Sequence, residues 1–258
     1  MALKALLYFT FIWLLLCNAP NAPNADDIVI VSDRWYPYSG IPRSPMPGYA
    51  IEIAQYAFEK NGHNLKHQLW SIKKATRLVK EGKKNCLVSH NRKHIDNVIS
   101  PAVAIANDQK IFIRRNTIAW QFSGINSLKE IILGTIYGYS YSEEISLYIA
   151  TLNNPTAITN TKGKFAIEQN LSALIKGEID VVVGSKAVLT AALKKHHWQD
   201  QVSFAGNAGP AEKIYIACSP KLPSSYNYVK LISQAIDELR ASGELHQLLK
   251  KYQLNDNQ

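Results

Sequence analysis

The residues whose type and spacing could do chemistry are two histidine pairs, two cysteines and two serines placed at the ends of apolar runs. His63/His67 and His90/His94 are each spaced by four, which on a helix would set both rings on one face, as metal ligation needs. Neither pair has a nearby cysteine or a clear third ligand, and His63 follows Gly62 at a helix end, so solvated or capping histidines are expected and no metal. Catalysis would require a nucleophile with its base, or paired acids in a cleft. The chain has no nucleophile elbow, no zinc-protease helix motif and no phosphate loop, so no catalytic group and no cofactor are expected. Cys86 and Cys218 lie in apolar, strand-like runs, where a cysteine packs as a small inert hydrophobe; pairing of the two in an oxidising compartment stays open.

The serines belong to an internal echo. Leu78-Val79-Lys80-Glu81-Gly82 leads to Cys86-Leu87-Val88-Ser89, and Leu174-Ile175-Lys176-Gly177 leads to Val181-Val182-Val183-Gly184-Ser185. Each reads as a helix end, a glycine stop and a strand that delivers a serine at its carboxyl end, where open α/β sheets bind ligands. The repetition suggests two similar lobes facing one another.

The elements that would position these residues are legible in part. Ile28-Val29-Ile30-Val31 reads as a buried strand, followed by the aromatic loop Trp35-Tyr36-Pro37-Tyr38 and a proline-rich stretch. Gly48 leads into a helix with Ile51, Ala54 and Phe58 on its apolar face, ending at Asn61-Gly62. Gln109 to Arg115 and Lys213 to Cys218 read as strands; if both cross between lobes, the first lobe is built from both chain ends. Val229, Ile232, Ile236 and Leu239 line one face of a late helix, Gly243 stops it, and Leu245, Leu248, Leu249 and Tyr252 continue in a second.

At the start, Lys4, the apolar run Ala5 to Cys17 and a Pro/Asn/Ala-rich stretch to Ala25 have the pattern of a secretory signal peptide over residues 1–25. The apolar run falls short of the roughly 18–20 residues of a permanent span. Cleavage after Ala25 is expected, with Ala19 and Ala22 as other small-residue positions. Cys17 follows Leu16 rather than a small residue, which argues against a lipidation site. The net charge of +9 is scattered rather than gathered in an aromatic-interleaved patch, so nucleic acid is not an expected partner.

In order and spacing, these landmarks resemble those of the periplasmic polar-amino-acid-binding proteins of ABC transporters, across essentially the whole mature chain. Trp35-Tyr36-Pro37-Tyr38, Gly48 to Ile53, Ala75 to Gly82, Ser89-His90-Asn91-Arg92 with Ser100-Pro101, Gly134 to Gly138 with Tyr139-Ser140-Tyr141, and Glu238 to Leu245 with Lys251-Tyr252 carry the likeness. The resemblance implies an α/β, two-lobed type II periplasmic-binding fold, with lobe 1 from residues 26–112 and 214–258 and lobe 2 from 113–213, joined by two hinge strands. It also implies a monomer that closes on a small ligand, an amino acid or related carboxylate, and then engages a membrane permease.

The family's ligand arginine follows a threonine by three positions and precedes a proline by nine. Ser89, Arg92 and Pro101 reproduce this spacing, so Arg92 is expected to grip a carboxylate through its planar fork. Tyr139 and Ser140 match the second-lobe contacts to the same carboxylate at a helix start, Ser140 with Glu143 also reading as a capping box. Trp35 matches the aromatic cover, with Tyr36 as its rival. One position departs: where the family carries an acid for the ligand's ammonium, this chain has Ser185, which is expected to hydrogen-bond the ligand but cannot offer the charge. Asp33, at a polar contact position, is expected to compensate, while Glu52 is expected to serve the first helix's dipole. The same fold also carries a periplasmic dehydratase and stand-alone sensors, which are the alternative readings.

Overall fold

The computed structural model describes residues 25–90, 97–152 and 156–254. The expected signal peptide up to Asn24, with Cys17, and also Arg92 and His94 lie outside them, as does the side chain of His90. Among the described residues no helix is long and apolar enough to cross a membrane.

Two five-stranded sheets organise the chain. Strands β1 (Asp27–Ser32), β2 (Asn64–Leu69), β3 (Cys86–His90), β4 (Ala106–Asp108) and β10 (Glu212–Cys218) form one, in the order β2-β1-β3-β10-β4; β5 (Lys110–Arg115), β6 (Leu133–Ile136), β7 (Ile158–Thr161), β8 (Val181–Ser185) and β9 (Val202–Asn207) form the other, in the order β7-β6-β8-β5-β9. The positions correspond: β3 and β8, the two strands of the sequence echo, are the central strands, each flanked by one parallel and one antiparallel neighbour.

The apolar runs arise because both faces of each sheet are covered, so consecutive residues are buried rather than alternate ones. In β3, Cys86 and Val88 join a core closed by helices α1 (Tyr49–Glu59) and α6 (Ser225–Ala241), while Leu87 packs with Ala75 and Val79 of α2 (Ile72–Lys80). In β8, Val181 and Val183 pack with Ile145 and Tyr148 of α3 (Glu143–Thr151), and Val182 with Leu171 and Leu174 of α4 (Ala166–Lys176) and Leu189 of α5 (Lys186–Lys195). The C-terminal helices fall where the periodicity puts them: Val229, Ile232, Ile236 and Leu239 of α6 are buried, and α7 (Glu244–Lys251) follows Gly243.

The chain passes between sheets at Gln109 and again between Asn207 and Glu212. The expected divisions after 112 and 213 fall inside β5 and β10, since those strands belong to one sheet from their first residues. At the crossing, Gln109 donates from Nε2 to the carbonyls of Lys110 and Gly209 at 2.9 and 2.8 Å, and buried Lys110 pairs with Glu212, tying both crossovers together.

Two expectations are corrected here. Cys86 and Cys218 are not independent buried thiols but a disulfide: β3 and β10 place them directly opposite one another in an antiparallel pair, both fully buried. His63 and His67 do not share a helical face, because β2 starts at Asn64. His63 instead accepts a hydrogen bond from the Asp26 N–H, and the His67 ring bonds the Ser32 hydroxyl at 2.8 Å.

Burial pushes the His67 imidazole down to about 4. The unfolded chain, with a value near 6.5, therefore binds a proton that the native state does not between those two pH values. The resulting stability is full above pH 6.5 and is lost as pH falls toward 4, with a contribution of about 2–3 kcal/mol. Urea unfolding at pH 7 and pH 4.5 should show this loss, and His67→Gln should reduce the difference; an unchanged pH dependence in the variant would overturn the assignment.

Candidate functional site

The first loop is held as a rigid arch. Trp35 bonds Ser39 through the backbone in both directions, the Trp35 and Tyr38 rings meet at 4.5 Å, and the Tyr36–Pro37 peptide is cis. Gly48 closes the arch with φ +117°, and a Cβ there would lie 2.5 Å from the Tyr38 carbonyl oxygen, so no other residue fits without moving the loop. Its N–H donates to the Tyr252 hydroxyl, binding the arch to the C-terminal segment.

Beneath this arch lies a cavity of about 290 Å³. The first lobe contributes Asp33, Trp35, Ile72, Lys73, Thr76, Val88 and Ser89; the second contributes Gly138, Tyr139 and Ser140. Five of the residues picked out from sequence, Asp33, Trp35, Ser89, Tyr139 and Ser140, thus meet at one place. They come from the carboxyl ends of β1, β3 and β6 and the segments just beyond, where side chains of an open α/β sheet can reach a common ligand.

Asp33 spans the site electrically. Its carboxylate accepts from the Arg34 N–H at 2.7 Å, and the Ile72 N–H at the start of α2 and the Tyr139 hydroxyl across the cleft favour its charged form. Burial raises its affinity for a proton, and these three donors oppose that rise. Burial, reinforced by the Asp33 charge, pushes the Tyr139 phenol well above its ordinary value, so it remains a donor. Lys73 faces the same cavity from the first turn of α2, placing an ammonium and a carboxylate in one chamber.

The other expected residues stand differently. Tyr36 packs against Tyr252 at 5.9 Å and lines a larger neighbouring cavity. Ser185 does not line the inner cavity: its hydroxyl donates to Asp108 and accepts from the Val188 N–H, capping α5. Asp108, buried at the crossing, also accepts from the Tyr38 hydroxyl at 3.4 Å, so the serine that stands in the family's acid position touches a carboxylate supplied by β4. Glu52 accepts from Lys251 at 2.6 Å and from Tyr252, a tie between α1 and the C-terminus added to its place in the first helical turn.

The capping box is a further correction. α3 begins at Glu143 with Ser142, not Ser140, at its N-cap. Tyr141 intervenes: its hydroxyl accepts from the Ile136 N–H at 2.9 Å and its own N–H donates to Ser146 Oγ. That pulls the chain inward and leaves Ser140 exposed in the loop before the helix, at the cavity wall.

Lys73 and Thr76 were not expected in the site. The available signal is positional: a helix that follows the strand beside β1 must start near the carboxyl end of β1, so its first turn reaches the same chamber. Among the described residues no cluster of three or more His, Cys, Asp or Glu could hold a metal.

No family model matches the chain. It is 23% identical over 243 residues to the probable amino-acid-binding protein YxeM of Bacillus subtilis (strain 168), covering 91% of this chain and 88% of that protein. Among solved structures, it is similar to a histidine kinase sensor domain with similarity to periplasmic binding proteins, at 16% identity, TM-score 0.71, and 88% and 95% of the two chains. It is equally similar to a substrate-binding protein of an ABC uptake transporter from Streptococcus pneumoniae with bound histidine, at 16% identity, TM-score 0.70, and 88% and 92% of the two chains. The two matched sheets, their paired crossovers and these likenesses agree on one architecture: the chain is similar to a probable amino-acid-binding protein and is built on the type II periplasmic-binding-protein fold.

Proposed function

We propose that this chain is an exported solute-binding protein that captures a small amino acid, or a related carboxylate, between its lobes and delivers it to the permease of an ABC transporter. The observation that carries the reading is the chamber in which Asp33 and Lys73 stand opposite in charge while Tyr139 and Ser140 close it from the second lobe. A zwitterion fits such a chamber: Asp33 takes the ammonium, and Lys73, Ser89 and Ser140 take the carboxylate together with Arg92, the residue singled out by its spacing. Trp35 covers the ligand's carbon atoms. Hinge closure about the two crossovers then brings the second lobe onto the ligand, and the closed surface is what the permease recognises. The protein acts as a monomer, in the periplasm, after removal of residues 1–25.

An enzymatic reading would need a carboxyl group in the cleft free to move a proton; Asp33, bound by the Arg34 N–H and with the Ile72 N–H and Tyr139 hydroxyl favouring its charged form, suits holding a cation better. A sensor reading has one specific support, the likeness to a histidine kinase sensor domain, and uses the same ligand chemistry with a different partner.

The test is a thermal-shift screen of residues 26–258 against amino acids, small organic acids and amines. A ligand at about 100 times its Kd raises Tm by roughly 5–10 °C for a chain of this size, and Arg92→Ala should abolish the shift. Shifts from amines alone, or a carboxylate hit kept in full by Arg92→Ala, would overturn the carboxylate grip.

A further inference from the structure

Beside the inner chamber lies a second compartment of about 650 Å³, and Asp33 and Tyr139 line both. Ligand sites run about 300–1,000 Å³, so the inner chamber suits an amino-acid head group and the outer one has room for a sizeable extension. One face of α5 lines the outer compartment along its whole length, through Lys186, Ala187, Thr190, Ala191, Lys194 and Lys195, a rail of about 14 Å. Ile41 and Met46 face it from the first lobe.

Its charge is one-sided. Arg34 and Lys164 join the three lysines of α5, against the carboxylates of Asp33 and Glu168 alone. Glu168 is already shared by Arg34 at 3.7 Å and Lys195 at 3.5 Å, and Asp33 is bound by the Arg34 N–H. Lys164 and Lys186 make no ion pair with a described carboxylate, and Lys194 bonds only the neutral Gln253 amide. An anion lying along α5 would meet uncompensated positive charge at each end of the rail.

We propose that the outer compartment is a subsite for an anionic tail, and that the ligand is an α-amino acid whose side chain is extended to a distal carboxylate, a class for which a γ-glutamyl dipeptide serves as the probe. The inference rests on the amino-acid reading above. Because the inner chamber holds both the α-ammonium and the α-carboxylate, the extension must leave through the side chain. It passes Tyr139 and lies against the alanines of α5, and its terminal carboxylate is met by Lys186 or Lys194.

The test compares three probes by isothermal titration on residues 26–258: L-glutamine, γ-L-glutamylglycine, and the dipeptide with its glycine carboxylate converted to an amide. The dipeptide should bind at least tenfold tighter than glutamine, and the amide should lose that advantage. Lys186→Glu/Lys194→Glu, both exposed on α5, should erase the advantage while leaving glutamine binding within twofold. A dipeptide that binds no tighter than glutamine, or an advantage that survives in the amide or the double variant, would overturn the subsite. A free amino acid that binds where the dipeptide does not sinks the subsite alone; no binding by any amino acid or probe sinks the amino-acid reading and the subsite with it.

Discussion

Asp33→Asn should cost about thirtyfold or more in ligand affinity while the protein stays folded. The carboxylate is the negative charge that the first lobe presents to the chamber, and an amide of the same shape keeps an acceptor for the Arg34 and Ile72 N–H groups but cannot offset a ligand ammonium. Breaking a buried, hydrogen-bonded charge contact costs about 2–5 kcal/mol, much of it from leaving the partner charge unpaired, and each 1.4 kcal/mol is tenfold in Kd. Tyr139→Phe removes the hydroxyl that favours the charged form of Asp33 across the cleft and should cost less, about 1–2 kcal/mol, because the Asp33 charge remains. Titration of both variants and the double variant with the ligand found in the screen separates the two contributions. If Asp33→Asn binds as the parent does, the ammonium is held elsewhere, and Asp108 beside Ser185 becomes the next residue to test.

That second carboxylate shows where sequence and structure part. Ser185 is visible as the end of an apolar strand after a glycine, and its lack of charge is visible too. Its contact with Asp108 is not, because Asp108 reaches it from β4, a strand of only three residues with no periodicity of its own. The same limit applies to β2 and β7, whose sequences NLKHQL and ITNT are polar edge strands; edges bury too little to impose an apolar pattern. The strands buried on both faces, β1, β3 and β8, were readable because burial on two sides demands an unbroken apolar run.

The site was readable in proportion to how close each residue lies to such a strand. Asp33, Ser89 and Tyr139 follow β1, sit in β3 and follow β6, so locating the strand end locates the residue. Lys73 and Thr76 depend on the direction in which α2 leaves the sheet, and the Ser140 turn depends on the Tyr141 hydroxyl reaching Ile136; both are tertiary facts. Tyr36, next to Trp35 in sequence, turns to the opposite side of the arch and into the outer compartment, a distinction fixed by the tight arch from Trp35 to Ser39 rather than by residue type.

Removing the disulfide should have the largest effect on stability. Cys86 and Cys218 are 132 positions apart, and the loop they close contains the whole second sheet and both crossovers. In the chain-entropy account a closed loop of that length restricts the unfolded state by up to about 5 kcal/mol, and measured losses are commonly about 2–5 kcal/mol. Cys86→Ala/Cys218→Ala should therefore lower Tm by roughly 5–15 °C, and reductant should shift the parent toward the variant while leaving the variant unchanged. The second lobe lies wholly inside the loop and owes the bond nothing in its own sheet, so the loss should appear first in the first lobe, as faster amide exchange in β1, β3 and β10 with β6 and β8 still protected. Exchange that rises equally in both sheets would mean that the lobes unfold as one unit. An unchanged Tm in the double variant would mean that the burial of β3 against β10 already holds the first lobe without the covalent tie.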